Sequence, residues 1–193
     1  LVFGGALLGA HVRIGAPEGY QLRPAIVQRG EAFARASGGS VAQVADPREA
    51  AKGADVIYNL AADMGGMGFI ELNKALCMLS VLINTHLIDA AYRAGAQRYW
   101  FSSSACVYNI NLQQDPNVRA LKESDAYPAM AERGYGWEKL ISEMFCQEYW
   151  AERGMKTFMA RFHNVFGPHG TWDGGREKAP AAICRKVIEA KDT

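Results

Sequence analysis

Cysteine is scarce and scattered: the four, Cys77, Cys106, Cys146 and Cys184, form no CxxC pair. That excludes a zinc ribbon or a small disulfide-stapled scaffold and fits reduced thiols in a cytoplasmic protein. An excess of one charge is lacking too. The 21 Lys and Arg are balanced by 20 Asp and Glu, so no basic stripe tracks a phosphate backbone and nucleic acid is not an expected partner. No apolar run reads as reaching the roughly 18 residues that cross a bilayer, so a soluble chain without membrane contact is expected. Internal repeats and low-complexity tracts are absent. What remains is 193 residues, 49% hydrophobic and 21% charged, which is ordinary globular composition and enough for one domain over 1–193 with a buried core. The apolar start, Leu1 to Ala10, lacks a basic leader and an initiator Met. It reads as a truncated first strand running into a glycine loop rather than as a secretory signal.

Strand-like runs alternate with helical patterns, as in βαβ units with a parallel sheet covered on both faces. Val56 to Leu60, Arg98 to Ser103 and Lys156 to Phe162 read as buried strands, and Leu72 to Ala94 and Tyr135 to Trp150 as helices. In the second helix Trp137, Leu140, Ile141, Met144, Phe145 and Tyr149 recur at helical spacing, giving one apolar face. Arg13 to Ser40 holds several Gly and Pro residues without a sustained period, and no strand is placed there. Asn109 to Tyr127, polar and interrupted by Pro116, reads as a loop over the carboxyl edge of the sheet, where open α/β sheets bind ligands. Cys77, Cys146 and Cys184 fall in helical patterns and read as packing. His163 beside Asn164 lacks further ligands at metal-binding spacing, so no metal is expected, and His169 reads as a loop residue.

Two signals carry chemistry. Tyr135-Gly136-Trp137-Glu138-Lys139 is a YxxxK at the start of the strong helix, where positions i and i+4 share a face. An ammonium there favours the phenolate and is expected to lower the tyrosine pKa from about 10, making a base toward a sugar hydroxyl. Alone the pattern is weak, because such pairs are common on solvated helices. The strand from Arg98 strengthens it by ending in hydroxyls, Ser102-Ser103-Ser104-Ala105-Cys106-Val107-Tyr108, at the edge where parallel strands deliver side chains to a ligand crevice.

At these residues the chain resembles the extended short-chain dehydrogenase/reductase family, whose strand ending SSxxVY is followed by YxxxK. Ser104 matches its catalytic serine, Tyr135 its base and Lys139 the partner. Asn59-Leu60-Ala61-Ala62-Asp63-Met64-Gly65-Gly66-Met67-Gly68-Phe69, Leu121 to Asp125, Arg161 to Asn164, Phe166-Gly167-Pro168 and Gly174 to Ala182 are similar, in order and spacing, to nucleotide-sugar epimerases of that family. The resemblance runs from about Asp46 to Lys186. It implies a Rossmann-like doubly wound α/β fold, a transient 4-keto sugar, and NAD that takes and returns one hydride. Cys106 and Lys178 then become the base and acid on opposite faces of the sugar, the Cys106 thiol being lowered by a nearby cation. It further implies nucleotide-sugar contacts at Gly65, Ser104, Asn164, Glu177, Lys178, Ala179 and Lys186. Cofactor contacts are implied at Leu60, Ala61, Ala62, Tyr135 and Lys139, with Asp46 at adenine. Family members commonly form homodimers through the YxxxK helix, and they continue past Lys186 into a smaller substrate domain.

The family's GxxGxxG is irregular here. Gly4, Gly5 and Gly9 are the glycines available for a pyrophosphate cradle. Two other readings stand beside the leading one: a different nucleotide-sugar epimerase or dehydratase, and a non-catalytic Rossmann binding module.

Overall fold

The structure is a computed structural model describing residues 1–114, 117 and 119–191. Pro116, taken above as interrupting a loop, lies outside the described residues. The chain divides into two compact units, one formed by Leu1–Ile57 with Ala94–Ala96 and the other by Tyr58–Arg93 with Gln97–Thr193.

The first unit holds α1 (Val2–Leu7), β1 (His11–Gly15), α2 (Pro24–Ser37), β2 (Ser40–Val44) and α3 (Pro47–Ala51). β1 and β2 pair in parallel from His11↔Ser40 to Gly15↔Val44, joined by α2 as a βαβ unit. The expectation for the N-terminus is corrected here: Val2–Leu7 is helical, not a strand leading into a glycine loop. A short apolar run does not by itself separate buried helix from buried strand. Packing decides it, because Ala6 is fully buried in a cluster with Ala34 and Val41, against which Val2 and Val27 also pack. Gly4 and Gly5 thus sit within a helix, and Gly9 follows it. Of the Gly and Pro residues that hid β1 and α2 from periodicity, Pro17 and Gly19 lie between them, Gly38 and Gly39 follow α2, and Pro24 begins the helix at a position that needs no donated N–H.

The second unit carries the site. A three-stranded sheet in the order β3-β4-β5 is made by β3 (Val56–Asn59), β4 (Arg98–Ser104) and β5 (Lys156–Phe162). β4 and β5 are parallel and in register from Arg98↔Lys156 to Ser104↔Phe162. Helices α4 (Met67–Leu72), α5 (Lys74–Met78) and α6 (Ser80–Arg93) follow β3. α7 (Tyr135–Arg153) precedes β5, and α8 (Ala179–Glu189) closes the described chain. Parallel strands with helical crossovers are the expected class, although the five strands form two separate ladders. The loop between β4 and α7 holds short 3-10 turns at Ile110–Leu112 and Glu123–Ala126.

The helical run Lys74–Arg93 is 20 residues long and apolar enough to cross a membrane by length and composition, which corrects the expectation that no run reaches that length, although Leu72 to Ala94 reads as a helix. Its Ser80, Asn84, Ile88 and Ala91 are buried. Asn84 bonds to Glu138 and Ser142 of α7, and Asp89 accepts from Tyr149 at 3.2 Å. One face of the run thus packs against α7, while 28% of its apolar stretch is buried. Cys77 and Cys146 pack as expected, whereas Cys184 is exposed on α8, whose Ile183, Val187 and Ile188 also face outward.

Candidate active site

β4 stops at Ser104 because the hydroxyl of Ser104 turns back to accept from the Cys106 N–H at 3.3 Å, beginning the 3-10 turn Ala105–Val107. That turn puts Cys106 just beyond the carboxyl end of the sheet. α7 starts against it: Glu132 N–H donates to Cys106 C=O at 3.0 Å, and Glu132 Oε2 accepts from Gly136 N–H at 3.1 Å. A Cβ on Gly136 would lie 2.3 Å from the Cys106 carbonyl oxygen, so only glycine lets the helix come this close.

This approach brings the sequence-level candidates together. Tyr135 is 6% exposed and shares a cluster with Ile70 and Cys77, against which Met64, Phe69 and Cys106 pack. Ser104 is near enough to favour the Tyr135 phenolate. Lys139 Nζ lies 5.5 Å from the Tyr135 ring centroid and 4.8 Å from that of Phe101.

Electrostatics correct the sequence-based expectation. Burial pushes the Tyr135 phenol well above its ordinary range, and Glu138 and Cys106 add to the rise, while Ser104 opposes it. Desolvation raises the Cys106 thiol as well, against the lowering by the Ser104 bond and Lys178. At the thiol Lys178 is present, but removal from water penalises the anion more than the cation repays; at the phenol burial dominates, with Ser104 opposing it.

The opposite wall is a clasp between the loop after β3 and the segment before α8. Lys178 Nζ donates to Gly65 C=O at 2.9 Å, and Gly66 N–H donates to Arg176 C=O at 3.1 Å. Arg176 reaches Asp63 Oδ1 at 3.3 Å and Met64 C=O at 3.2 Å, with its guanidinium 4.0 Å over the Phe69 ring. A Cβ on Gly66 would meet the Glu177 carbonyl oxygen at 2.3 Å. The glycines expected to admit a ligand thus also admit a neighbouring strand of backbone. Lys178 is close enough to act on the Cys106 thiol, so the pair that the resemblance named shares one region with Tyr135.

Other expected residues are placed less centrally. Glu177 pairs with Arg185 at 3.4 Å, and its Oε2 is buried without a hydrogen bond. Ala179 begins α8, with Lys178 at its N-cap. Asn164 and Lys186 are exposed. Leu60, Ala61 and Ala62 follow β3, where Ala61 N–H bonds to Asn59 Oδ1 at 3.0 Å. Ser102 Oγ donates to Asn59 C=O at 3.0 Å, tying that loop's root to β4.

The groups at the carboxyl ends of β3 and β4 suit the nicotinamide-ribose end of NAD. They are the backbone of 60–62, Ser104, Tyr135 and Lys139. Gly4, Gly5 and Gly9 stand ahead of β1 instead of between a strand and the next helix, so they lack the geometry of a pyrophosphate cradle. In the first unit the Asp46 carboxylate caps α3, accepting from Arg48 N–H at 2.9 Å.

Sequence reading missed Asn59, Asn84, Glu138 and Ser142, all buried beneath the site, and the clasp residue Arg176. Glu138 lies inside the quoted YxxxK, and its position one residue before Lys139 was the signal available.

Residues 26–193 match the NAD dependent epimerase/dehydratase family. Over 141 residues the chain is 48% identical to GDP-mannose 3,5-epimerase 1 of Oryza sativa subsp. japonica, a match covering 72% of this chain and 37% of that protein. The match therefore spans well under half the length of this curated relative. A shorter stretch of 58 residues is 47% identical to ornithine carbamoyltransferase of Acidothermus cellulolyticus, covering 30% of this chain and 19% of that protein. The GDP-mannoheptose C4 reductase from Campylobacter jejuni superposes with a TM-score of 0.69 over 95% of this chain and 56% of that one. At 16% identity this likeness speaks for the fold alone.

Proposed function

Because the chain belongs to the NAD dependent epimerase/dehydratase family, we propose that its second unit is the catalytic core of a nucleotide-sugar epimerase, with GDP-mannose 3,5-epimerisation as the reaction. The observation that carries this reading is the convergence of Tyr135, Ser104, Cys106 and Lys178 at the carboxyl edge of one parallel sheet. Bound NAD supplies a hydride acceptor at the start of the cycle and a hydride donor at its end.

The residues do the proton work. Tyr135 takes the proton of the sugar 4-hydroxyl, with its phenolate stabilised by Ser104 and Lys139. Burial raises its proton affinity, so the phenol is protonated in the free chain and must give up that proton before it can accept the one from the sugar. With C4 a ketone, the hydrogens on C3 and C5 become acidic. Cys106 removes such a proton from one face and Lys178 delivers one to the other, inverting the centre. Lys178 is oriented by its bond to Gly65 C=O, and its charge favours the Cys106 thiolate that must form. The clasp places the glycines beside this pair, where backbone lines the sugar. A homodimer through the outward side of α7, where Met144 and Trp150 are exposed, belongs to the same reading.

The test is exchange of substrate hydrogens with solvent deuterium in the longer protein. Cys106→Ser and Lys178→Ala are each expected to retain cofactor binding and to lose exchange at C3 and C5 by at least about a hundredfold, the scale of one general acid–base group. Undiminished exchange in both variants removes these residues from the chemistry. Failure of the wild type to bind NAD⁺ at all favours a non-catalytic binding module.

A further inference from the structure

Beneath the reacting pair lies a carboxylate that the chemistry above does not use. Glu138 and Lys139 are 0% and 1% exposed, adjacent in α7 and both ionisable. Buried charges are tolerated when paired and hydrogen-bonded, and the surroundings of Glu138 provide for one of its oxygens. Oε1 accepts from Asn84 Nδ2, which also donates to Ser142 Oγ at 2.9 Å. Ser142 Oγ in turn donates to the Glu138 carbonyl at 2.9 Å. Asn84 Oδ1 accepts from Asn59 Nδ2 at 2.7 Å, and Asn59 Nδ2 also reaches Tyr99 Oη at 2.8 Å. The frame thus runs from α6 and α7 to the end of β3, whose Asn59 Oδ1 holds Ala61 N–H at 3.0 Å. Oε2 has no hydrogen-bond partner and lies 3.7 Å from Lys139 Nζ. The ammonium is placed over two rings, Phe101 of β4 and Tyr135 of α7.

We propose that Glu138 is a positioning residue for the Tyr135–Lys139 pair: anchored by Asn84, its free oxygen keeps the Lys139 ammonium charged and located at the Tyr135 ring. The role rests on the reading of Tyr135 and Lys139 as the reacting pair. The titratable groups facing Lys139 are Glu138 and Tyr135 of α7 and Cys77 of α5, while β4 contributes the uncharged Phe101. Of these, Glu138, whose own carboxyl burial pushes up to about 7, opposes most strongly the downward push that burial exerts on Lys139, so its hold on the ammonium is fullest above that pH. A merely structural polar plug would matter for stability and leave the ionisation of Lys139 alone.

The experiment titrates the Lys139 side chain by NMR in the 193-residue chain labelled at lysine, comparing wild type, Glu138→Gln and Asn84→Ala. Glu138→Gln is expected to lower the proton affinity of Lys139 at least tenfold. Asn84→Ala, which keeps the carboxylate but frees its anchor, is expected to lower it less. If Glu138→Gln does not fold, the Asn84→Ala shift decides. An unchanged Lys139 titration in the folded variants overturns the proposal. In the longer protein Glu138→Gln is expected to move the pH profile of kcat while leaving KM unchanged, and a stationary profile in an active variant overturns the positioning role. A wild type without turnover counts against the epimerase reading, whereas the Lys139 titration still decides the placement.

Discussion

Cys106 shows how a single residue can be located from sequence while its chemistry is not. Its place in SSSACVY put it beside Tyr135, and the structure agrees. The expected lowering of its pKa is reversed by burial, which no motif reveals. A thiol held above its ordinary range is mostly protonated at neutral pH and reacts slowly. Iodoacetamide at pH 7 followed by mass spectrometry is therefore expected to label exposed Cys184 first and Cys106 much later. Cys77 and Cys146, fully covered and with thiols raised by burial, are expected to react last. Cys106 labelling as fast as Cys184 would show that the thiol is already activated.

Among the elements, α7 was legible because apolar positions from Trp137 to Tyr149 repeat at helical spacing, and β5 was bounded as found, although the expectation of a buried strand is corrected: of its residues Thr157 alone is buried. The contact between α7 and the Cys106 turn was not legible, since nothing local marks Gly136 as touching a carbonyl in another element. Gly136→Ala is expected to destabilise the chain by about 1–3 kcal/mol, the usual cost of overpacking, measurable as a lower urea midpoint. Asp125 anchors the turn Glu123–Ala126, accepting from Arg119 at 2.8 and 2.9 Å and from Lys122 N–H at 2.7 Å. The Arg119 bond, followed by the Lys122 N–H, holds its pKa below the usual carboxylate range. A depressed carboxylate stabilises the fold above its unfolded pKa of about 3.9, and that contribution is lost as pH falls through the lower folded value. Asp125→Asn is accordingly expected to lower the urea midpoint at pH 7 and to match wild type once Asp125 is protonated. A gap that persists in acid would assign the effect to packing.

For the whole molecule, the two units differ in what holds them. The first is built on Ala6, Ala34 and Val41, whereas the second buries Tyr99, Phe101, Ile88 and Leu140 almost fully. Larger side chains remove more apolar area from water, so amides of β4 and α7 are expected to outlast those of β1 and β2 in hydrogen exchange. Equal protection would mean that the chain opens as one body. In the first unit β1 runs through Gly15 and Gly19 into α2 without the regular GxxGxxG of a pyrophosphate site. Exchanging Leu1–Ile57 for a regular strand–GxxGxxG–helix segment is expected to raise NAD⁺ affinity at least about tenfold by calorimetry, since helix N-terminal N–H groups then meet the pyrophosphate. Unaltered affinity would place sufficient cofactor contacts in the chain as it stands. Sequence alone determined the βαβ class, the three strands Val56–Asn59, Arg98–Ser104 and Lys156–Phe162, and α7, and a resemblance named Tyr135, Lys139, Ser104, Cys106 and Lys178 as candidates, because periodicity and spaced motifs are local properties of a chain. The tertiary structure decided that Leu1–Ala10 begins as helix, that burial raises the phenol and outweighs the cation at the thiol, and that Glu138 stands beside Lys139. Packing and desolvation depend on which distant residues come into contact.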